Sequence, residues 1–427
     1  MSDYLSLPGI RTREHEIEVP LVHGDPSRGS LTVYAREVAA PDGRDRPYLV
    51  YLQGGPGGEA PRPSGVPWAP GWLERALKDY RVLMLDQRGT GRSTPFGEAD
   101  LRADATGDSG HDGTPVDTAT LAERLTHHRA DAIVADAELL REHLGVERWS
   151  LLGQSFGGFT ALAYLSRHAD RLSEVYFTGG LPPVGRGVDE VYARTYEALA
   201  AKSERFYRRY PGSRERMRAV LAACEEGRVQ LPNGDVVTPP WFRTLGHLLG
   251  GSTGAASLAH LLEGDVRAPW FRHDLASLLP FGGRNPLYSV VHESCYADGG
   301  STRWSAARTY PEAFLADDTL LTGEHVYPWH FEVSSELRPY AELAEAMAQV
   351  EWPRLYDADA LANADVPCAA AIYARDAYVD PTFSVETADL LPRMHTWITD
   401  EYEHDGLRAG GGAVLDRLIA LATDRAR

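Results

Sequence analysis

Two stretches near the N-terminus, REHEIEVPLVHG and GSLTVYAREVAA, alternate polar and apolar residues, the pattern of half-buried strands. The turn-rich DPSRG joins them, which predicts an opening antiparallel pair. YLVYLQGGPGG and YRVLMLDQRGTGRS follow, each a continuous apolar run ending in a glycine loop, as expected of strands covered on both faces. The polar segment GEADLRADATGDSGHDGTPVDT reads as a long surface loop. RADAIVADAELLREHLGV then has helical spacing, ERWSLLGQS is a short buried strand, FTALAYLSRH a helix and LSEVYFTGG a strand again.

Strands alternating with helices predict an α/β fold, a mostly parallel, doubly wound sheet with helices on both faces. The alternation breaks after Pro182 and Pro183. From Val184 to Tyr356 helical patterns and aromatic residues dominate, as in VYARTYEALAAKSERFYRRY, WFRTLGHLLGG and LRPYAELAEAMAQV. It resumes with VPCAAAIYARD, HTWITDEYEHDG and GGAVLDRLIALATD. The predicted organisation is a core made of residues 1–183 and 357–427, interrupted by a mainly helical insertion, residues 184–356.

Composition changes this picture only at its edges. The 427 residues are 43% hydrophobic, enough for a sizeable core. A net charge of -18 argues against nucleic acid as a partner, because phosphate binding needs a basic surface. Cys224, Cys295 and Cys368 form neither a disulfide framework nor a metal spacing. With no signal-like N-terminus and no apolar run of membrane-spanning length, a cytoplasmic location without membrane contact is expected. No P-loop, dinucleotide fingerprint or HExxH motif occurs, so no cofactor and no metal are expected. His127 and His128 read as a solvated helix face. Nothing in the pattern specifies an oligomeric state.

The chemistry concentrates at strand ends. Gly153-Gln154-Ser155-Phe156-Gly157 matches G-x-S-x-G where a buried strand meets a helix. A serine on so sharp a turn needs neighbours without bulk, and the helix beginning there aims its amides at the developing negative charge. A nucleophilic serine requires an acid and then a histidine further along the chain. After the insertion, AAAIYA leads into Asp376, with Asp380 as competitor in the same loop, and HTWIT leads into His404. Ser155, Asp376 and His404 are the predicted catalytic residues. The GGPGG loop, Gly54 to Gly58, lets amides approach a substrate oxygen, so Gly55 and Phe156 form the predicted oxyanion hole.

With GGPGG, DQRGTGRS and GQSFGG in this order, the chain resembles the proline iminopeptidases of the α/β-hydrolase superfamily, in their longer branch of about 430 residues. The likeness is strongest over residues 48–182. It implies an α/β-hydrolase fold with a helical cap, and a serine exopeptidase that releases N-terminal proline through an acyl-enzyme. Its partner would be a small peptide with a free N-terminal proline. Ser155 would be the nucleophile, His404 the general base and Asp376 its orienter. Cap glutamates would hold the substrate amine, with Glu293 and Glu324 as candidates. The flat ring would be met by aromatics drawn from Phe156, Trp304, Tyr327 and Trp329. The chain departs from the family pattern at Gln53, where many relatives have histidine, and in lacking the glycine that commonly precedes the acid. An esterase, lactonase or amidase with no amine requirement would share the elbow, and so would a non-catalytic ligand-binding homologue.

Overall fold

The computed structural model describes residues 3–102 and 116–423. Most of the expected long loop, residues 103–115, lies outside the described residues, and its beginning forms a 3-10 turn, Glu98–Leu101. Among the described residues nine strands make one sheet: β1 (Leu5–Leu7), β2 (Ile10–Pro20), β3 (Ser30–Ala39), β4 (Tyr48–Leu52), β5 (Arg81–Leu85), β6 (Trp149–Gln154), β7 (Leu172–Thr178), β8 (Cys368–Tyr373) and β9 (Met394–Thr399). Their order is β1-β2-β3-β5-β4-β6-β7-β8-β9. The first three strands and the β3–β5 pair are antiparallel, whereas β5 through β9 are parallel. β1 has no counterpart in the sequence reading, because its three residues are exposed and too few to show a period.

Residue alternation along the strands divides the core into two layers. Val50, Leu83, Leu151, Val175 and Ala370 face one side and pack with residues of the helices Ala130–His143 and Phe156–His168. Leu49, Val82, Leu152, Tyr176 and Ala369 face the other and meet Leu73, Leu415 and Leu418 of the helices Leu73–Asp79 and Gly412–Ala422. Burial on both faces is why β4 contains no charged residue.

Between β7 and β8 no strand joins the sheet, and the chain runs through helices, the longest being Val188–Arg209. Phe206, Met217, Val237, Phe242, Leu258 and Phe271 share a hydrophobic cluster there, distinct from both sheet layers. WFRTLGHLLGG is not one α-helix: the α-turns end at Arg243 and a 3-10 segment, Thr244–Gly250, continues. The glycine within it is required by close approach, since a Cβ on Gly246 would stand 2.4 Å from the Thr322 carbonyl oxygen. His128 also departs from expectation, being 6% exposed and packed beside Gly89, and burial with nearby Arg88 pushes its imidazole down to about 3. No helix among the described residues is long and apolar enough to cross a membrane.

Candidate active site

Ser155 stands between the end of β6 and the helix Phe156–His168, with φ 55° and ψ −128°. That left-handed conformation is costly for a residue with a side chain, and fixed surroundings hold it. The Ser155 N–H donates to the Thr178 carbonyl at 3.1 Å, and its own carbonyl accepts from Gly158 N–H at 2.7 Å. Backbone crowding accounts for the glycines around it. A Cβ on Gly157 would lie 1.9 Å from Leu52 O, one on Gly158 2.2 Å from Gly180 O, and one on Gly153 2.6 Å from Gly157 O. None of these backbone atoms can swing aside as a side chain could.

His404 follows β9 and is buried. Its Nδ1 lies 2.7 Å from Asp376 Oδ2, and its backbone N–H donates to Gly250 O at 3.0 Å. The other Asp376 oxygen accepts from the N–H groups of Tyr378 at 2.9 Å and Val379 at 3.2 Å, so the carboxylate is held from both ends. The Tyr378 ring stands edge-on to the imidazole, with centroids 4.8 Å apart. Burial disfavours the imidazolium, but the Asp376 carboxylate, aided by Glu324, outweighs it and holds His404 above its ordinary range. Asp380 is engaged elsewhere: it caps the helix Pro381–Ala388 through Thr382 and Phe383 N–H and pairs with Arg194 at 3.1 Å. That role was readable, since aspartate before a proline in the first helical position is a helix-start signature.

A cavity of about 330 Å³ brings Ser155 and His404 together with Gly55, Tyr288, Glu324 and Arg408. Gly54 belongs to the same wall, where a Cβ would come within 2.9 Å of the Ser155 Cβ. The DQRGTGRS stretch fastens this glycine loop. Gln87 Nε2 donates to Gln53 O at 2.7 Å, and the Asp86 carboxylate accepts from Ala60 and Arg92 N–H, each at 3.0 Å. Buried Arg88 grips Asp136 at 2.7 and 2.5 Å and donates to the carbonyls of Pro20, Leu21 and His127. Phe156 contributes the first amide of the serine helix, while its ring packs toward Phe159 in the core and not into the cavity.

The two candidate glutamates part company. Glu324 lines the cavity, half-buried, with Tyr288 OH donating to it at 2.8 Å. Burial pushes its carboxyl above the usual range, against the opposing pull of His404 and the Tyr288 hydroxyl. Glu293 lies outside the lining residues, and its two oxygens accept from Ser305 N–H at 3.1 Å and Ala306 N–H at 2.9 Å. Trp304, Tyr327 and Trp329 are absent from the lining as well; Tyr327 and Trp329 stack on each other, and Trp304 Nε1 donates to Glu345 at 2.7 Å. The aromatic walls are instead Tyr51, Trp72 and Tyr288. Sequence reasoning missed these, along with Asn285, because contact between the insertion and the glycine loop leaves no periodic trace. Asn285 Nδ2 donates to Gly57 O, and Arg284 pairs with Glu59.

A family model described as alpha/beta hydrolase fold matches residues 47–220. A proline iminopeptidase of Aeromonas sobria is 42% identical over 98% of this chain and 98% of its own. A proline iminopeptidase of Aspergillus aculeatus is 31% identical over 98% of this chain and 95% of its own. The crystal structure of a proline iminopeptidase from Mycobacterium smegmatis aligns at 14% identity, covering 96% of this chain and 100% of that one, with a TM-score of 0.44. On the full-length likeness to the first two, the chain belongs to the proline iminopeptidase family of α/β hydrolases.

Proposed function

We propose that this protein is a serine aminopeptidase that releases N-terminal proline from peptides. Ser155 Oγ attacks the prolyl carbonyl carbon as His404 Nε2 takes its proton, and Asp376 stabilises the imidazolium that forms. The N–H groups of Gly55 and Phe156 stabilise the oxyanion. The C–N bond then breaks, His404 returns the proton to the leaving amine, and a prolyl ester remains on Ser155. Water activated by His404 hydrolyses that ester and frees proline. The helical segment 184–356 acts as a cap, contributing Tyr288 and Glu324 to the cavity wall.

The observation that carries this reading is Glu324, a half-buried carboxylate with a tyrosine hydroxyl on it, in the cavity of a serine and an aspartate-coupled histidine. A carboxylate lining such a site favours a cationic substrate end, here the amine of the terminal proline. Glu324 serves this role and Glu293 does not, because backbone amides already occupy both Glu293 oxygens. A reducing, cytoplasmic setting fits the three free, buried cysteines.

The test is hydrolysis of a proline arylamide and its N-acetyl derivative. The free amine is expected to be cleaved and the blocked one resisted, and Ser155→Ala should lower turnover by roughly 10⁴-fold or more with the thermal transition retained. Rapid cleavage of the acetylated compound would point to a hydrolase with no amine requirement.

A further inference from the structure

The Ser155 cavity carries a cation as well as an anion. Arg408 belongs to the short helix Gly406–Ala409, which follows His404, and it lines the cavity with Ser155, His404 and Glu324. Among the described residues no ion pair engages it. Nearby arginines differ in this respect: Arg284 holds Glu59, Arg62 faces Asp86 and Arg375 pairs with Asp400. The acids beside it in sequence are also taken. Glu403 pairs with Lys202, while Asp405 accepts from Ser252 N–H at 3.0 Å and its hydroxyl at 2.6 Å. In a chain of net charge -18, an exposed arginine that lines a reactive cavity without an acidic partner can meet an anionic ligand group.

The cavity therefore presents half-buried Glu324 and exposed Arg408, with Ser155 in the same lining. A dipeptide zwitterion has the matching layout: an ammonium at one end, a carboxylate at the other and the scissile carbonyl between. About 330 Å³ is room for a ligand of that size. We propose that Arg408 receives the C-terminal carboxylate of short substrates, so that dipeptides with N-terminal proline are preferred over their amidated or longer counterparts. This rests on the aminopeptidase reading above. A guanidinium offers a carboxylate two parallel N–H donors, which an amide cannot use in the same way, and a longer peptide carries its carboxylate beyond reach.

The experiment compares kcat/KM for prolyl-alanine, prolyl-alanine amide and a proline arylamide in the wild type, R408Q and R408K. The wild type is expected to favour the free acid over the amide by about tenfold, with R408Q bringing that ratio close to one mainly through KM on the acid, and R408K restoring part of it. A wild-type ratio near one overturns the proposal, as does an equal loss on acid and amide in R408Q, the result of a merely structural role. The arylamide separates this failure from that of the underlying reading. If the wild type cleaves the arylamide yet ignores the carboxylate, only the role of Arg408 falls; if it does not cleave the arylamide, the aminopeptidase reading falls with it.

Discussion

At the scale of single residues, the site depends on charges placed out of water. In the proposed reaction His404 acts as a base only when neutral, and the Asp376 carboxylate and Glu324 hold it above its ordinary range in spite of burial. The acidic limb of kcat/KM on a proline arylamide is therefore expected above about 6.5, activity rising as pH passes upward through it. A limb below about 6 would contradict the coupling between His404 and its carboxylates. Glu324→Gln keeps the shape of the side chain and removes its charge. The expected result is a loss in kcat/KM of about 100-fold for the free-amine substrate, together with a downward shift of the same limb. Unchanged values in both measurements would detach Glu324 from amine binding. Ser155 was legible from its glycine neighbours, since backbone crowding restricts residue type directly. The cap role of Asp380 was readable from the proline that follows it, but the meeting of Asp376 with His404 was not, because it depends on packing between separate segments.

At the scale of elements, the antiparallel strands β2 and β3 hold a buried charge cluster. Glu37 on β3 accepts from Arg13 at 2.7 Å, His15 at 2.9 Å and Tyr48 OH at 3.1 Å, and Tyr4 OH also donates to it. Burial works against its charge, but these donors overcome it and lower the carboxyl to about 2. A depressed carboxyl contributes stability in full above its unfolded value near 4.3, and that contribution is lost as pH falls toward about 2. Glu37→Gln is expected to cost about 2–4 kcal/mol, because it leaves buried donors without their charged acceptor. Urea unfolding at pH 7 and again near pH 3 checks this, the difference between variant and wild type shrinking at the lower pH; an equal difference at both would sink the linkage. The strands were readable because a period of two is a local property. The 3-10 winding of Thr244–Gly250 was not, since the helical spacing of WFRTLGHLLGG does not separate it from an α-helix.

At the scale of the whole molecule, the sequence by itself determined the α/β alternation, its interruption between β7 and β8, the strand-to-helix turn at Ser155 and the order of serine, acids and histidine. These follow from local rules: side-chain periodicity, helix-start chemistry, and the demand for glycine where backbones touch. Only the tertiary structure decided which glutamate enters the cavity. Glu293 and Glu324 lie in similar aromatic surroundings along the chain, yet one is engaged by the amides of Ser305 and Ala306 and the other lines the cavity with Ser155. It also decided that Tyr288, from between β7 and β8, and Arg408, from beyond the last strand, line one cavity with the serine. Such meetings depend on how three distant segments pack. Packing leaves no period in the sequence, because the contacts that create it are between residues hundreds of positions apart.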